Sequence, residues 1–329
     1  MVALDTLNLS AYEAAYQGAA FFPQASPGYL RVSGPDQSSF LQRQTTNDVR
    51  LLKPTRAVLT VLTSPTARIL DVLYLLQEPE AIGVVTLPGL DEHTARFLKS
   101  RIFFMDKVTL ISASHEYAQI DLLGPHAPQV LIRLGIERVP EKDEVIASRI
   151  EGFSNRILAL SENAGLGYRL LAAAEASEAI LATLEEQGAA RLSSEVYSIL
   201  RVEAGIPQLG NELTEQYTPL ETGLRAAISD QKGCYTGQEI IARQITYDKV
   251  TQQMCGLRLE SPVNEGERVW AEGKGIGTIT SSVTSPTFGH IALGILKRPY
   301  HQPETAVKVG KESESGVSGV VTPIPFHSF

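Results

Sequence analysis

The sequence predicts an α+β chain, with mixed α/β subdomains over residues 1–249 and a C-terminal antiparallel β-barrel over residues 250–329. Three observations lead there. Helical and β-rich runs alternate through the first 249 residues, yet no strand–GxGxxG–helix unit of a doubly wound nucleotide fold occurs among them. From Val250 the pattern changes to short strands punctuated by Gly, Pro, Asn and Ser, as in a small barrel. The length, 329 residues, exceeds one ordinary core and implies two or three domains.

Taken in order, a short helical start precedes a strand at 29–32 that turns at Gly34-Pro35. Asp36 is placed to cap a helix carrying Phe40 and Leu41 on one face. Runs 57–63 and 69–77 read as a hairpin joined by Ser64-Pro-Thr-Ala-Arg68, followed by a strand at 82–87, a helix with Leu90, Phe97 and Leu98, and a strand at 108–111. The theme then repeats, which divides the first part into two subdomains near 115–125: strand 118–123, helix 128–134, strands 145–150, 156–160 and 168–172, and helix 176–187 ended by Gly188. Six short strands follow, at 254–259, 268–271, 275–281, 290–296, 307–309 and 317–321, and Gly273-Lys-Gly-Ile-Gly277 among them reads as a hairpin turn rather than a phosphate loop.

Composition narrows the function classes. An apolar fraction of 43% and a charged fraction of 20% are ordinary globular usage. The net charge is -8 and the cations look scattered, so duplex nucleic acid is not an expected partner. The opening residues carry no Lys, no Arg and no apolar h-region, and no run reaches the ~20 apolar residues of a bilayer span, so a cytoplasmic protein without a membrane partner is expected. Only Cys234 and Cys255 are present, too few for a disulfide framework or a four-thiolate cluster, and the six histidines never fall at i, i+3 or i+4, so no metal is expected.

The most informative stretch is Lys232-Gly-Cys-Tyr-Thr-Gly-Gln-Glu239. Thr-x-x-Glu is a capping-box pattern, predicting Thr236 at the N-cap and Glu239 at N3 of a helix on which Glu239 and Arg243 pair one turn apart. Cys234 then sits just ahead of a helix N-terminus, where partial positive charge and Lys232 favour a thiolate. The equal alternative is a small buried hydrophobe, the usual state of a free cysteine. Cys255 has no cap or flanking cation and reads as core.

With Ile240-Ile-Ala-Arg243, this stretch resembles the signature of the YgfZ family of folate-binding iron–sulfur assembly factors, which are related to the glycine-cleavage aminomethyltransferase (GcvT). The resemblance extends over nearly the whole chain: Leu30-Arg-Val-Ser-Gly34, Phe40-Leu-Gln-Arg-Gln-Thr-Thr-Asn-Asp48, Arg201-Val-Glu-Ala-Gly-Ile-Pro207, Pro219-Leu-Glu221, Gly277-Thr-Ile-Thr-Ser281, Ser285-Pro286 and Ile291-Ala-Leu-Gly294. It implies a cloverleaf of folate-binding α/β subdomains plus a barrel around a central channel, with tetrahydrofolate or a derivative as cofactor. It also implies iron–sulfur proteins or their assembly machinery as partners, and through such enzymes a link to tRNA modification. Cys234 would be the reactive residue, supported by Lys232, Gln238 and Glu239, and the folate contacts by motif position are Asn47, Asp48, Asp71, Glu203 and Arg243. Each of these has a plain reading beside it: Asn47 and Asp48 as turn or cap residues, and Glu203 paired with Arg201 at the surface.

The chain also departs from the aminomethyltransferase pattern. In Glu162-Asn-Ala-Gly-Leu-Gly-Tyr168, Gly165 stands where those enzymes carry the glutamate that holds the pterin, and Val72 replaces the second Asp of the Asp71 region. Tyr247-Asp-Lys249 is less basic than the usual continuation. The expected function is therefore a tetrahydrofolate-binding factor for assembly or repair of iron–sulfur enzymes. A folate-dependent aminomethyltransferase and a non-catalytic scaffold are the alternatives.

Overall fold

The structure, a computed structural model, describes residues 6–161, 165–312 and 315–326. The first unit comprises α1 (Thr6–Gln17), β1 (Ala20–Pro23), β2 (Gly28–Ser33), α2 (Gln37–Gln44), β3 (Val58–Thr63), β4 (Ile69–Gln77), β5 (Ala81–Thr86), α3 (Asp91–Lys99) and β6 (Thr109–Ser112). Five of its strands form an antiparallel sheet in the order β3-β4-β5-β2-β6. Alternate residues of β4 point to opposite faces. Leu73 and Leu75 pack with Phe40 and Leu41 of α2 and Leu98 of α3, whereas Val72, Tyr74 and Leu76 enter a second cluster with Leu158, Leu171, Leu213 and Leu224. Burial of both faces explains why β3 and β4 read as near-continuous apolar runs.

The second unit follows with β7 (Tyr117–Leu123), α4 (Ala127–Arg133), β8 (Val145–Ile150), β9 (Phe153–Ala159), β10 (Tyr168–Ala173), α5 (Ser177–Glu186), β11 (Ala190–Arg191) and α6 (Ser194–Glu203). Its sheet runs β11-β1-β7-β10-β9-β8, and only the short β1–β11 pair is parallel. The sequence does not predict β1 or β11: β11 is two residues long, too short for alternation, and β1 ends on Pro23, which reads as a break. Gly188 adopts φ +82° after α5, as a left-handed cap requires. The predicted Asp36 cap makes no side-chain capping bond; its carboxylate instead accepts from the Lys107 N–H at 2.9 Å, tying α2 to β6.

After α7 (Gln238–Thr246), strands β12 (Gln252–Leu259), β13 (Arg268–Ala271), β14 (Lys274–Ser285), β15 (Gly289–Lys297), β16 (Ala306–Val309) and β17 (Val317–Thr322) close a six-stranded antiparallel barrel in the order β12-β15-β14-β13-β16-β17. Leu257, Val269, Ile276, Ile279, Ala292, Leu296 and Val321 fill it. Glu272 and Gly273, at φ +50° and +72°, make the tight β13–β14 turn, so the glycine-rich stretch is a hairpin. The barrel rests on α6 through Val202, packed with Met254, Ile291, Leu293 and Phe326.

Candidate functional site

The segment around Cys234 is pinned from both sides. Lys232 is buried, and its ammonium donates to the carbonyls of Thr45 (2.6 Å) and Asn47 (2.7 Å) while lying 5.0 Å from the Tyr235 ring centroid. Burial pulls its pKa down to about 8. Tyr235 is buried with Ala67, Ile228 and Ile241. Between these two anchors Gly233 and Cys234 are exposed, so the reading of Cys234 as a packed hydrophobe is overturned. Cys255 is buried in the barrel core, its Sγ 3.8 Å from the Gly294 carbonyl oxygen, and burial pushes its pKa up to about 12.

The predicted capping box does not form. Helix α7 begins one residue later, on Gly237 at φ +84°, with no side-chain cap. The cause is tertiary: Gly237 lies against the β3–β4 turn, where an added Cβ would sit 2.8 Å from the Ser64 carbonyl oxygen. Thr236 is held by its backbone, donating its N–H to the Arg43 carbonyl (3.3 Å) and accepting from the Thr63 hydroxyl (2.7 Å). Lys232 is likewise not a free cation beside the thiol, because its charge is committed to two carbonyls. Gln238 is half-buried at the first turn, and Glu239 and Arg243 form the expected pair at 2.5 Å on the exposed face.

The five residues nominated for folate have protein partners and do not converge. Asn47 donates its amide to the carbonyls of Leu59 (2.7 Å) and Ala226 (3.2 Å), bracing β3. Asp48 caps the following turn, and the guanidinium of Arg50 beside it holds its pKa down to about 2. Asp71 has no exposed surface; its Oδ1 accepts from the N–H groups of Val72 (2.8 Å) and Leu87 (3.0 Å), its Oδ2 from the Thr94 hydroxyl (2.5 Å), and burial pushes its pKa up to about 7. It faces α3, and the position facing the cluster between the two sheets is Val72.

Glu203 is not paired with Arg201 at the surface. It is fully buried, accepting from the hydroxyls of Tyr12 (2.8 Å), Tyr16 (2.5 Å) and Ser285 (2.5 Å), and burial raises its pKa. Arg201 pairs with buried Glu212 at 3.3 Å, and Glu212 also accepts from Ser281 of the barrel at 2.6 Å. These acids join the α/β units to the barrel, a role the sequence signals only through the one-turn spacing of Tyr12 and Tyr16. Arg243 is exposed with Glu239. As a set these residues do not fit a pteridine, since no carboxylate among them is free to accept from its donor edge. Among the segment that would carry the usual pterin glutamate, residues 162–164 lie outside the described residues, and a Cβ on Gly165 would stand 2.4 Å from Leu160 Cδ1. Among the described residues, no three His, Cys, Asp or Glu side chains gather as a metal site.

The model of the GCVT N-terminal domain matches residues 8–232, and that of the glycine cleavage T-protein C-terminal barrel domain matches residues 252–327. The chain belongs to the glycine cleavage T-protein family. A chloroplastic protein of Arabidopsis thaliana described as a transferase is 30% identical to this family member over 305 residues, spanning 91% of the chain and 69% of that protein. An aminomethyltransferase of Thermus thermophilus is 29% identical over 311 residues, 93% of the chain and 86% of that enzyme. The crystal structure of the glycine cleavage system aminomethyltransferase T from Bartonella henselae superposes with a TM-score of 0.84 over 97% of the chain and 89% of that chain, at 21% identity, which shows the shared fold. Among the described residues, no helix is long and apolar enough to cross a membrane.

Proposed function

We propose that this member of the T-protein family binds a reduced folate in its α/β units and, through Cys234, supports assembly or repair of iron–sulfur enzymes. One observation carries the thiol half of this reading: Cys234 stands exposed on a segment clamped by the buried Lys232 and Tyr235 on either side of it. A surface thiol on a rigid loop is available to a macromolecular partner, whereas a packed thiol is inert. The folate half rests on the family match over residues 8–232 and not on the nominated acids. Weak binding is expected, because the pterin glutamate is replaced by Gly165 and Asp71 is turned toward α3.

The test is paired. Calorimetry with tetrahydrofolate should show saturable heat, and its absence at millimolar ligand, a limit of about -4 kcal/mol, would end the folate reading. Cys234→Ala should fold and bind folate like the wild type yet fail to restore iron–sulfur enzyme activity in cells lacking the factor. Full restoration by the variant would reduce Cys234 to a surface residue.

A folate-dependent aminomethyltransferase is the second reading, favoured by the similarity to aminomethyltransferases over nearly the whole chain. Turnover of an aminomethylated lipoyl carrier by the purified protein would decide for it. Val72 on the central face, where that family carries an acid, argues for no turnover.

A further inference from the structure

The loop after α3 presents three consecutive large apolar side chains: Phe103, Phe104 and Met105 are 65%, 98% and 72% exposed. The turn that displays them is fastened. The Asp106 N–H donates to the Phe103 carbonyl at 2.9 Å, and the Asp106 carboxylate accepts from the Phe103 N–H at 3.0 Å and from the Arg43 guanidinium at 2.7 Å. Just before it, Phe97 and Ile102 pack against the core beneath the five-stranded sheet. The tip therefore projects from a rigid base and does not fold back to cover its own apolar surface.

The segment that bears it is net positive, with Asp36 as a neighbouring acid whose carboxylate accepts from the Lys107 N–H. Residues 96–107 carry Arg96, Lys99, Arg101 and Lys107 against the single acid Asp106, which is already paired with Arg43, in a protein of net charge -8. Aromatic and thioether side chains at a convex tip flanked by cations match a bilayer interface, where apolar groups enter the headgroup–acyl boundary and cations meet anionic headgroups. A protein partner would need a groove shaped to three successive side chains around one turn, whereas a fluid interface accommodates them all. We infer that this tip docks the protein on the surface of an anionic lipid bilayer, as a peripheral contact without a spanning segment. Arg43 links the tip to the candidate site, because its carbonyl accepts from the Thr236 N–H.

Flotation of the full chain with vesicles of equimolar phosphatidylcholine and phosphatidylglycerol tests this. The wild type should float, with binding at least about tenfold weaker on pure phosphatidylcholine and falling as salt rises. Phe103→Ser/Phe104→Ser/Met105→Ser should lose about tenfold or more in partitioning with an unchanged melting temperature, since the three side chains are exposed. Lys99→Glu/Lys107→Glu should lose the preference for the anionic vesicles, and Cys234→Ala should bind like the wild type whatever its activity. Equal flotation of wild type and triple variant overturns the inference, as does failure of the wild type to bind anionic vesicles at low salt. Self-association or retention of a soluble protein by the wild type but not the triple variant, without vesicle binding, assigns the tip to protein contact and equally overturns it.

Discussion

Replacing Asp71 by Asn separates a buried structural acid from a catalytic one. The carboxyl group has no exposed surface, and its pKa is pushed from 3.8 up to about 7 by burial, which outweighs the bonds from Thr94, Leu87 and Val72. The folded state thus holds the proton more tightly than the unfolded chain. Stability from this group is complete below about pH 4, the unfolded value, and is lost as pH rises through about 7. Three pKa units correspond to about 4 kcal/mol between those limits, as an order of magnitude. Asn can keep the existing geometry: its carbonyl oxygen accepts from the Val72 and Leu87 N–H groups, and its amide donates to the Thr94 oxygen. The Thr94 hydroxyl hydrogen loses its acceptor and the second amide N–H gains none, a cost of about 1–2 kcal/mol, but no charge is buried at pH 8. Relative to the wild type the variant should therefore gain about 2–3 kcal/mol between pH 5 and pH 8, because about 1 of the three units is already lost at pH 5. Urea unfolding followed by circular dichroism at pH 5, 6.5 and 8 measures this, and the 13C shift of the Asp71 carboxyl gives the pKa directly. A variant destabilised by about 3 kcal/mol at pH 8, or a carboxyl titrating near its ordinary value, would refute the reasoning.

Three further substitutions probe the joints around the site. Lys232→Met leaves the Thr45 and Asn47 carbonyls without their donor and should cost about 2 kcal/mol, with faster hydrogen exchange over residues 232–236; unchanged exchange there would show that the ammonium is not the anchor. Gly237→Ala places a Cβ at φ +84° and 2.8 Å from a backbone oxygen, so a loss of about 1–3 kcal/mol in the unfolding free energy measured with urea is expected, and a neutral result would mean that α7 can start elsewhere. Glu203→Ala removes the carboxylate that gathers the Tyr12, Tyr16 and Ser285 hydroxyls at the barrel joint, although Tyr12 keeps Thr287, and calorimetry should show a loss of about 2–3 kcal/mol, with the barrel melting apart from the α/β units; a single unshifted transition would contradict that role.

Local pattern by itself determined the hairpin β3–β4, the repeated α/β theme, the barrel strands and the barrel turn at Gly273, because alternation and turn residues act over a few positions. The Glu239–Arg243 pair was legible in the same way, from its one-turn spacing on a helix. What pattern could not settle was decided by contacts distant in sequence. A strand buried on both faces tells that its residues alternate but not which face carries the site, so Asp71 read as a site residue when it faces α3. Thr-x-x-Glu satisfies a capping box locally, yet packing against the Ser64–Ala67 turn selects Gly237 as the start of α7, since only glycine fits there without strain. The charge of Lys232 goes to carbonyls some 187 and 185 residues earlier in the chain, a pairing that no spacing rule encodes. The exposure of Cys234 follows from those same long-range anchors: once its neighbours are buried on either side, the loop must turn the thiol outward, and only the tertiary structure could establish that.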